Sequence, residues 1–274
     1  MKKLYFRYMN NITSRKPYPY LHIGRADNLS QKDRLIYRIL EILPGAISWG
    51  SILLLVFLSW FLPAWAAFFI IAFDIYWLIK TAYLSMHLRA NWKRMKHNIS
   101  LDWSKRLENM KYDDIWQMII LPFYKEDTAV ISGTVESLIA SQWNKERMIV
   151  VLACEARAGE EAKNRAEEIF KKYGNTFGKF IITIHPENSP GEMAGKGSNI
   201  AFAAEDARKR ILDENSIKYE DVLVSAFDID TLVYHQYFLC LTWNFLTAEN
   251  PYRSSFQPVP VYNNNIWAAP SFSR

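Results

Sequence analysis

With 274 residues, half of them apolar and 15% aromatic, the chain has material for a packed core and is not a disordered polymer. Its 33 Lys and Arg against 28 Asp and Glu leave a formal charge of +5, with Arg34 and Arg38 just before a long apolar stretch and Arg89, Lys93, Arg94 and Lys96 just after it. That placement points to an anionic membrane face and excludes nucleic acid as the partner.

Residues 1–41 read as a cytoplasmic N-terminal segment. Met1-Lys2-Lys3 opens like a secretory signal, but Leu4 to Tyr20 mixes polar and aromatic residues with Arg7, Arg15 and Lys16, so no cleaved signal is expected. No charged residue occurs from Ile42 to Phe73. As one helix this run of about 32 residues would measure roughly 48 Å, too long for an untilted span. Pro63 divides it, and residues 42–86 read as a transmembrane hairpin, Leu43–Leu62 and Ala64–Met86, with both basic flanks on the cytoplasmic side. A single tilted span is the alternative topology. Trp49, Trp60, Trp65 and Trp77 serve as interface anchors or as lipid-facing bulk. Asp74, an acid inside the second span, is either functional or paired with a neighbouring helix. Residues 87–115, rich in Lys, Arg, Trp and Asn, read as a juxtamembrane amphipathic connector.

From residue 116 onward, short apolar runs alternate with helical segments, the pattern of an α/β domain with a mostly parallel sheet. Four strands are expected, Trp116–Leu121, Met148–Ala153, Phe180–His185 and Val222–Phe227. Helices over Thr128–Gln142, Gly159–Tyr173 and Ser198–Asn215 connect them, and each is long enough for a crossover. A further helix over Leu232–Leu246 and a fifth strand over Ser255–Tyr262 follow. Cys154 and Cys240 lie far apart in apolar settings, which suggests neither a zinc site nor a disulfide framework.

Ligands of open α/β sheets bind beyond the carboxyl ends of the strands, and here those ends are polar. Asp228 and Asp230 follow the fourth strand. Alternation along an extended segment turns both carboxylates to one side, a hard-oxygen platform for Mg²⁺ or Mn²⁺ that leaves positions open for phosphate oxygens. Alone, Asp-x-Asp carries little weight, and a solvated turn is the ordinary reading. Its position in line with three other polar strand ends gives it meaning. Lys196, between Gly195 and Gly197 and leading into a helix, has the makings of a phosphate contact; the phosphate-loop pattern of nucleotide-hydrolysing enzymes is not matched. Glu155 suits hydrogen bonding to a base or ribose, and Glu126 follows the same logic, with a helix-start acid as its plain alternative. His185 and His235 lack metal-ligand spacing and read as structural.

In that order the motifs resemble those of the family 2 glycosyltransferases, in the membrane-embedded branch of cellulose-synthase-like and hyaluronan-synthase-like enzymes. The stretch LPFYKED, with Pro122, Tyr124 and Glu126, stands where the family has a Pro-aromatic-Asn-Glu turn. ACEARAG takes the place of the acidic nucleotide-binding motif, GKGSN that of a Lys-Ala-Gly-Ala-Leu-Asn-like segment, FDID that of the Asp-x-Asp, and FQPVPVYNNN that of a Gln-Pro strand. The resemblance implies a GT-A-like nucleotide-sugar-binding domain over residues 116–274, present only in part. It places Glu155 on the base or ribose, Lys196 on the diphosphate, and Asp228 with Asp230 on Mg²⁺ or Mn²⁺. The implied partners are a nucleotide-diphosphate sugar, a UDP-sugar first, together with a glycan or lipid acceptor and membrane lipids. The implied setting is a multi-pass protein of the cell membrane with its catalytic domain cytoplasmic. Glu155 replaces the family's usual Asp and Lys125 its usual Asn. The family's general base and its Q-x-x-R-W motif lie downstream of the Gln-Pro strand; the sequence stops at Arg274 before either, so it reads as truncated and no catalytic base is assigned. A scaffold protein that keeps the fold without turnover, and a different metal-dependent nucleotidyl or phosphate enzyme, are the competing readings.

Overall fold

The computed structural model describes residues 29–189 and 192–261. Ser30 caps the first helix, α1 (Gln31–Phe61), its hydroxyl accepting the Asp33 N–H at 3.3 Å. Leu62 breaks it. The helical region is disfavoured for a residue ahead of proline, and Leu62 sits outside it at φ −139°, ψ 61°. Pro63 then opens α2 (Pro63–Ser100), where a first-turn proline gives up no intrahelical bond. The break thus falls at the expected turn, but both helices outrun the expected spans. Residues 87–100 are not a separate connector: they hold helix formers such as Leu88, Arg89, Ala90, Lys93 and Met95, with no Gly or Pro to stop the helix, and they continue α2. Both helices are long and apolar enough to cross a membrane. Among their residues only Ala66 is buried, leaving aromatic and aliphatic side chains exposed along their length.

The chain divides into two compact units. One holds the residues up to Ala72 together with Pro186–Asn199, the other Phe73–His185 with the residues from Ile200 on. The second unit carries a four-stranded, all-parallel sheet in the order β3-β2-β1-β4, built from β1 (Trp116–Phe123), β2 (Met148–Glu155), β3 (Lys179–His185) and β4 (Val222–Ala226). Around it stand α3 (Trp103–Leu107), α4 (Thr128–Ala140), α5 (Glu160–Tyr173), α6 (Lys196–Ala207) and α7 (Tyr237–Thr247). A π-helical turn, Arg208–Asp213, extends α6.

Strand parity sorts the core into two clusters. Ile119, Leu121, Val150 and Leu152 pack with Ile131, Val135 and Leu138 of α4, Ala166 and Ile169 of α5, and Phe238 of α7. Met118, Ile120, Ile149 and Val151 pack with Ala203 and Ala207 of α6 and with Ile211 and Leu212 of the π turn. Because both faces are covered, β2 is buried throughout and β1 from Gln117 onward, which explains their unbroken apolar runs. On edge strand β4 burial alternates, and Val224 is 58% exposed on the face that α6 covers farther along the sheet.

Two expected elements change. The segment 231–236 is an irregular connection and α7 starts only at Tyr237. No strand forms over 255–261: the run stays irregular and mostly exposed, since Pro258 and Pro260 remove two of the donors a ladder needs. Tyr262 and the asparagines after it lie outside the described residues.

Candidate functional site at the sheet switch point

The strand order 3-2-1-4 means that the chain builds outward from β1 to β3 and then returns to the other side of β1. The topological switch point therefore lies between β1 and β4, the place where open α/β sheets leave a crevice beyond their carboxyl ends. Ile120 pairs with Ala226 at the end of β4, and its carbonyl accepts the Phe227 N–H at 3.1 Å, so the backbone of Ile120 faces β4. Two residues on, Pro122 faces the same way, beyond the last ladder bond. Its missing donor costs nothing there, and an interior strand accommodates a proline.

Asp228 and Asp230 lie on a turn. The strand stops at Ala226, and the Thr231 N–H closes back on the Asp228 carbonyl at 3.0 Å, leaving Ile229 and Asp230 as the central pair. The segment is a turn and not the expected extended run; both aspartates are exposed while Ile229 is buried. The turn is fastened from α4. The buried Thr134 hydroxyl donates to the Ile229 carbonyl, the Ser137 hydroxyl accepts the Val233 N–H at 3.2 Å, and the Gln142 N–H reaches the His235 carbonyl at 2.6 Å.

Across the switch point the loop after β1 is equally ordered. Glu126 folds its carboxylate back onto the N–H groups of Tyr124 and Lys125, at 2.7 and 3.0 Å. Arg165 of α5 donates to the Lys125 and Glu126 carbonyls at 2.6 and 3.1 Å. Glu155, buried at the end of β2, is ion-paired with Arg157, whose guanidinium lies 5.1 Å from the centroid of the Tyr124 ring. The Lys125 ammonium lies 5.2 Å from the same ring. Gly159 closes this turn at φ +88°, a conformation that favours glycine, and leads into α5. Two cations thus lie against the Tyr124 ring in the loops after β1 and β2, and an acidic turn follows β4.

Lys196 is exposed as the first residue of α6, where the Ser198 hydroxyl and the Asn199 N–H both bond the Gly195 carbonyl, at 2.8 and 3.1 Å. It belongs to the first unit, whereas Pro122, Tyr124, Glu126, Glu155, Asp228 and Asp230 belong to the second. His185 is buried with its ring 5.1 Å from that of Phe202, and the His235 ring lies tilted 4.1 Å from that of Tyr234. Burial pushes the Cys154 thiol up to about 11, so it stays protonated at neutral pH. Arg157, Arg165 and Thr134 escaped the sequence reading. The spacing Glu155-x-Arg157 is a visible signal for the first; the other two act across long sequence separations.

Among the described residues no group of three or more His, Cys, Asp or Glu is placed to hold a metal. Asp228 and Asp230 still fit Mg²⁺, a hard cation held by one or two carboxylates that completes its shell with water and phosphate oxygens. The chain matches no model of a known protein family and no curated protein.

Proposed function

We propose that the chain is a membrane-bound glycosyltransferase, or the donor-binding half of one, with a GT-A-like domain that takes a nucleotide-diphosphate sugar at the β1/β4 switch point. The reading is supported by one observation: an acidic turn, held by Thr134, follows β4 at the switch point of a parallel sheet, and Arg157, Lys125 and Tyr124 gather in the loops after β1 and β2. Asp228 and Asp230 would hold Mg²⁺ or Mn²⁺, which offsets charge on the diphosphate leaving group when bound. The Tyr124 ring suits a base or ribose, and the cations beside it suit phosphate. Inversion at the anomeric carbon needs a base beside the acceptor hydroxyl, and no residue described here takes that role. The apolar helices α1 and α2 fit a cell-membrane location with the α/β domain on the cytoplasmic face, working on a glycan or lipid acceptor.

The test is calorimetric titration of the purified chain with nucleoside diphosphates. Binding is expected with Mg²⁺ or Mn²⁺, to disappear with a chelator, and to weaken at least ~10-fold in Asp230→Asn, the loss of about one charge-assisted contact. Metal-independent binding, or binding that this change leaves intact, refutes the reading. Preference for nucleoside triphosphates over UDP-sugars points instead to a nucleotidyltransferase. A second reading, a membrane-docked binding protein without turnover, draws on Glu126 and Glu155 being engaged within the chain. It expects donor binding with neither sugar transfer nor donor hydrolysis.

A further inference from the structure

The apolar length of α2 carries two charged residues, Asp74 and Lys80, and both belong to the same stretch of unbroken helix. A helix turns 100° per residue, which puts them about 120° apart around the axis, one on each flank of Trp77 and each about 60° from it. They cannot meet on their own helix. Along the axis their backbones are about 9 Å apart, but the Lys80 side chain turns back toward the helix start. Its ammonium lies 4.5 Å from the centroid of the Trp77 ring and 5.8 Å from that of Tyr76. This brings the ammonium back along the axis in the direction of Asp74. Asp74 itself is exposed, about 16 Å from the start of α2 and so near the middle of a bilayer core about 30 Å thick. Charged groups at that depth are paired.

We propose that α2 pairs in parallel with α2 of a second copy of this chain about a two-fold axis, with Trp77 on the contact line and Asp74 of each copy facing Lys80 of the other. In a two-fold interface the left flank of one helix meets the right flank of its mate, so the one-helix separation of 120° becomes two equivalent ion pairs across the dimer. Charge complementarity thus selects a second copy as the occupant of this face. The contact line is apolar and exposed: Phe73, Trp77 and Leu84 recur at helical spacing, with the rings of Phe73 and Trp77 6.0 Å apart. The pairing rests on α2 crossing a bilayer and is independent of the sugar-transfer reading.

The experiment is fluorescence energy transfer between donor- and acceptor-labelled copies of the full chain in liposomes, with insertion checked by flotation after alkaline carbonate. The unaltered chain is expected to show transfer that saturates with protein-to-lipid ratio. Asp74→Lys and Lys80→Asp, each alone, juxtapose like charges and are expected to lose it. An equimolar mixture of the two restores both ion pairs and is expected to recover it, as is the double exchange in one chain. Asp74→Asn and Lys80→Met add no charge to the span and should each weaken dimerisation roughly three- to tenfold, the range of an intramembrane polar contact. Transfer that Asp74→Asn leaves unchanged, an inserted mixture that fails to recover, or a chain that carbonate strips from the liposomes each overturns the proposal.

Discussion

Thr134 is wholly buried on α4, ninety-five positions from its partner in sequence, and its hydroxyl is the link between the sheet's outer helix and the turn that carries Asp228 and Asp230. Replacing it with valine keeps the shape and strands the Ile229 carbonyl, so stability should fall by about 1–3 kcal/mol, the cost of an unsatisfied buried acceptor. The turn should loosen with it. Metal-dependent nucleotide binding is therefore expected to weaken several-fold in Thr134→Val and to persist in Thr134→Ser; denaturant titration and calorimetry on the same samples separate the two effects. The Glu155–Arg157 pair teaches the complementary lesson. Glu155 is buried at its strand end beside the guanidinium of Arg157, whose side chain remains 41% exposed, and a buried carboxylate so accompanied costs less than a lone one.

At the scale of elements, α3 shows how a helix of five residues persists. Asp102 caps it, accepting the N–H of Ser104 at 3.1 Å and of Lys105 at 3.4 Å. Trp103 is buried against Trp243 of α7, with Arg106 over both rings. The buried Gln236 completes the joint, accepting the Trp103 N–H at 3.1 Å and donating to Gln142 at 2.9 Å. The Ser104 hydroxyl, helped by these N–H groups, holds the Asp102 carboxyl below its ordinary value. Since the folded value is the lower one, this stabilisation is complete above the ordinary aspartate range and is lost as pH falls through the folded value. Acid titration of tryptophan emission should therefore show α3 loosening below that range, and Asp102→Asn should remove the step. The part of this joint made by Gln236 was not legible in the sequence, because its hydrogen bonds span more than ninety residues. The strands were legible from their apolar runs, but β1 and β2 each run two residues further, through Pro122-Phe123 and Cys154-Glu155, where apolar character fades while ladder pairing continues. Apolar residues also suggested helix from Leu232, but up to Gln236 the chain is an irregular connection held by Ser137 and Gln142. Of the site, the acidic turn and the polar strand ends were readable. The bracing of the 124–127 loop by Arg165 was not, since it depends on how α5 packs.

For the whole molecule, the decisive feature is how the apolar helix meets the α/β domain. From Ile75 to Leu101 the sequence has no acidic residue, and Arg89, Lys93 and Lys96 recur at helical spacing on one face of α2, with the Lys96 ammonium 5.4 Å from the centroid of the Trp92 ring. The end of this basic stretch is tied to the domain: the Trp103 indole N–H donates to the Asn98 carbonyl at 2.8 Å and the Tyr234 hydroxyl to that of Ile99 at 3.3 Å. If α2 crosses a bilayer as proposed, its cations follow the apolar span at headgroup level while its far end is held by Trp103 and Tyr234, so anionic lipid should gather there. Energy transfer from tryptophan to a dansyl-labelled anionic lipid measures it in liposomes that contain the full chain. Replacing Arg89, Lys93 and Lys96 with Gln should lower the enrichment by about 1 kcal/mol per charge at low salt. At 1 M salt, where charges are screened within about 3 Å, the replaced and unaltered chains should converge. Equal enrichment at low salt would place the basic stretch away from the bilayer surface, and with it the domain that hangs from its end.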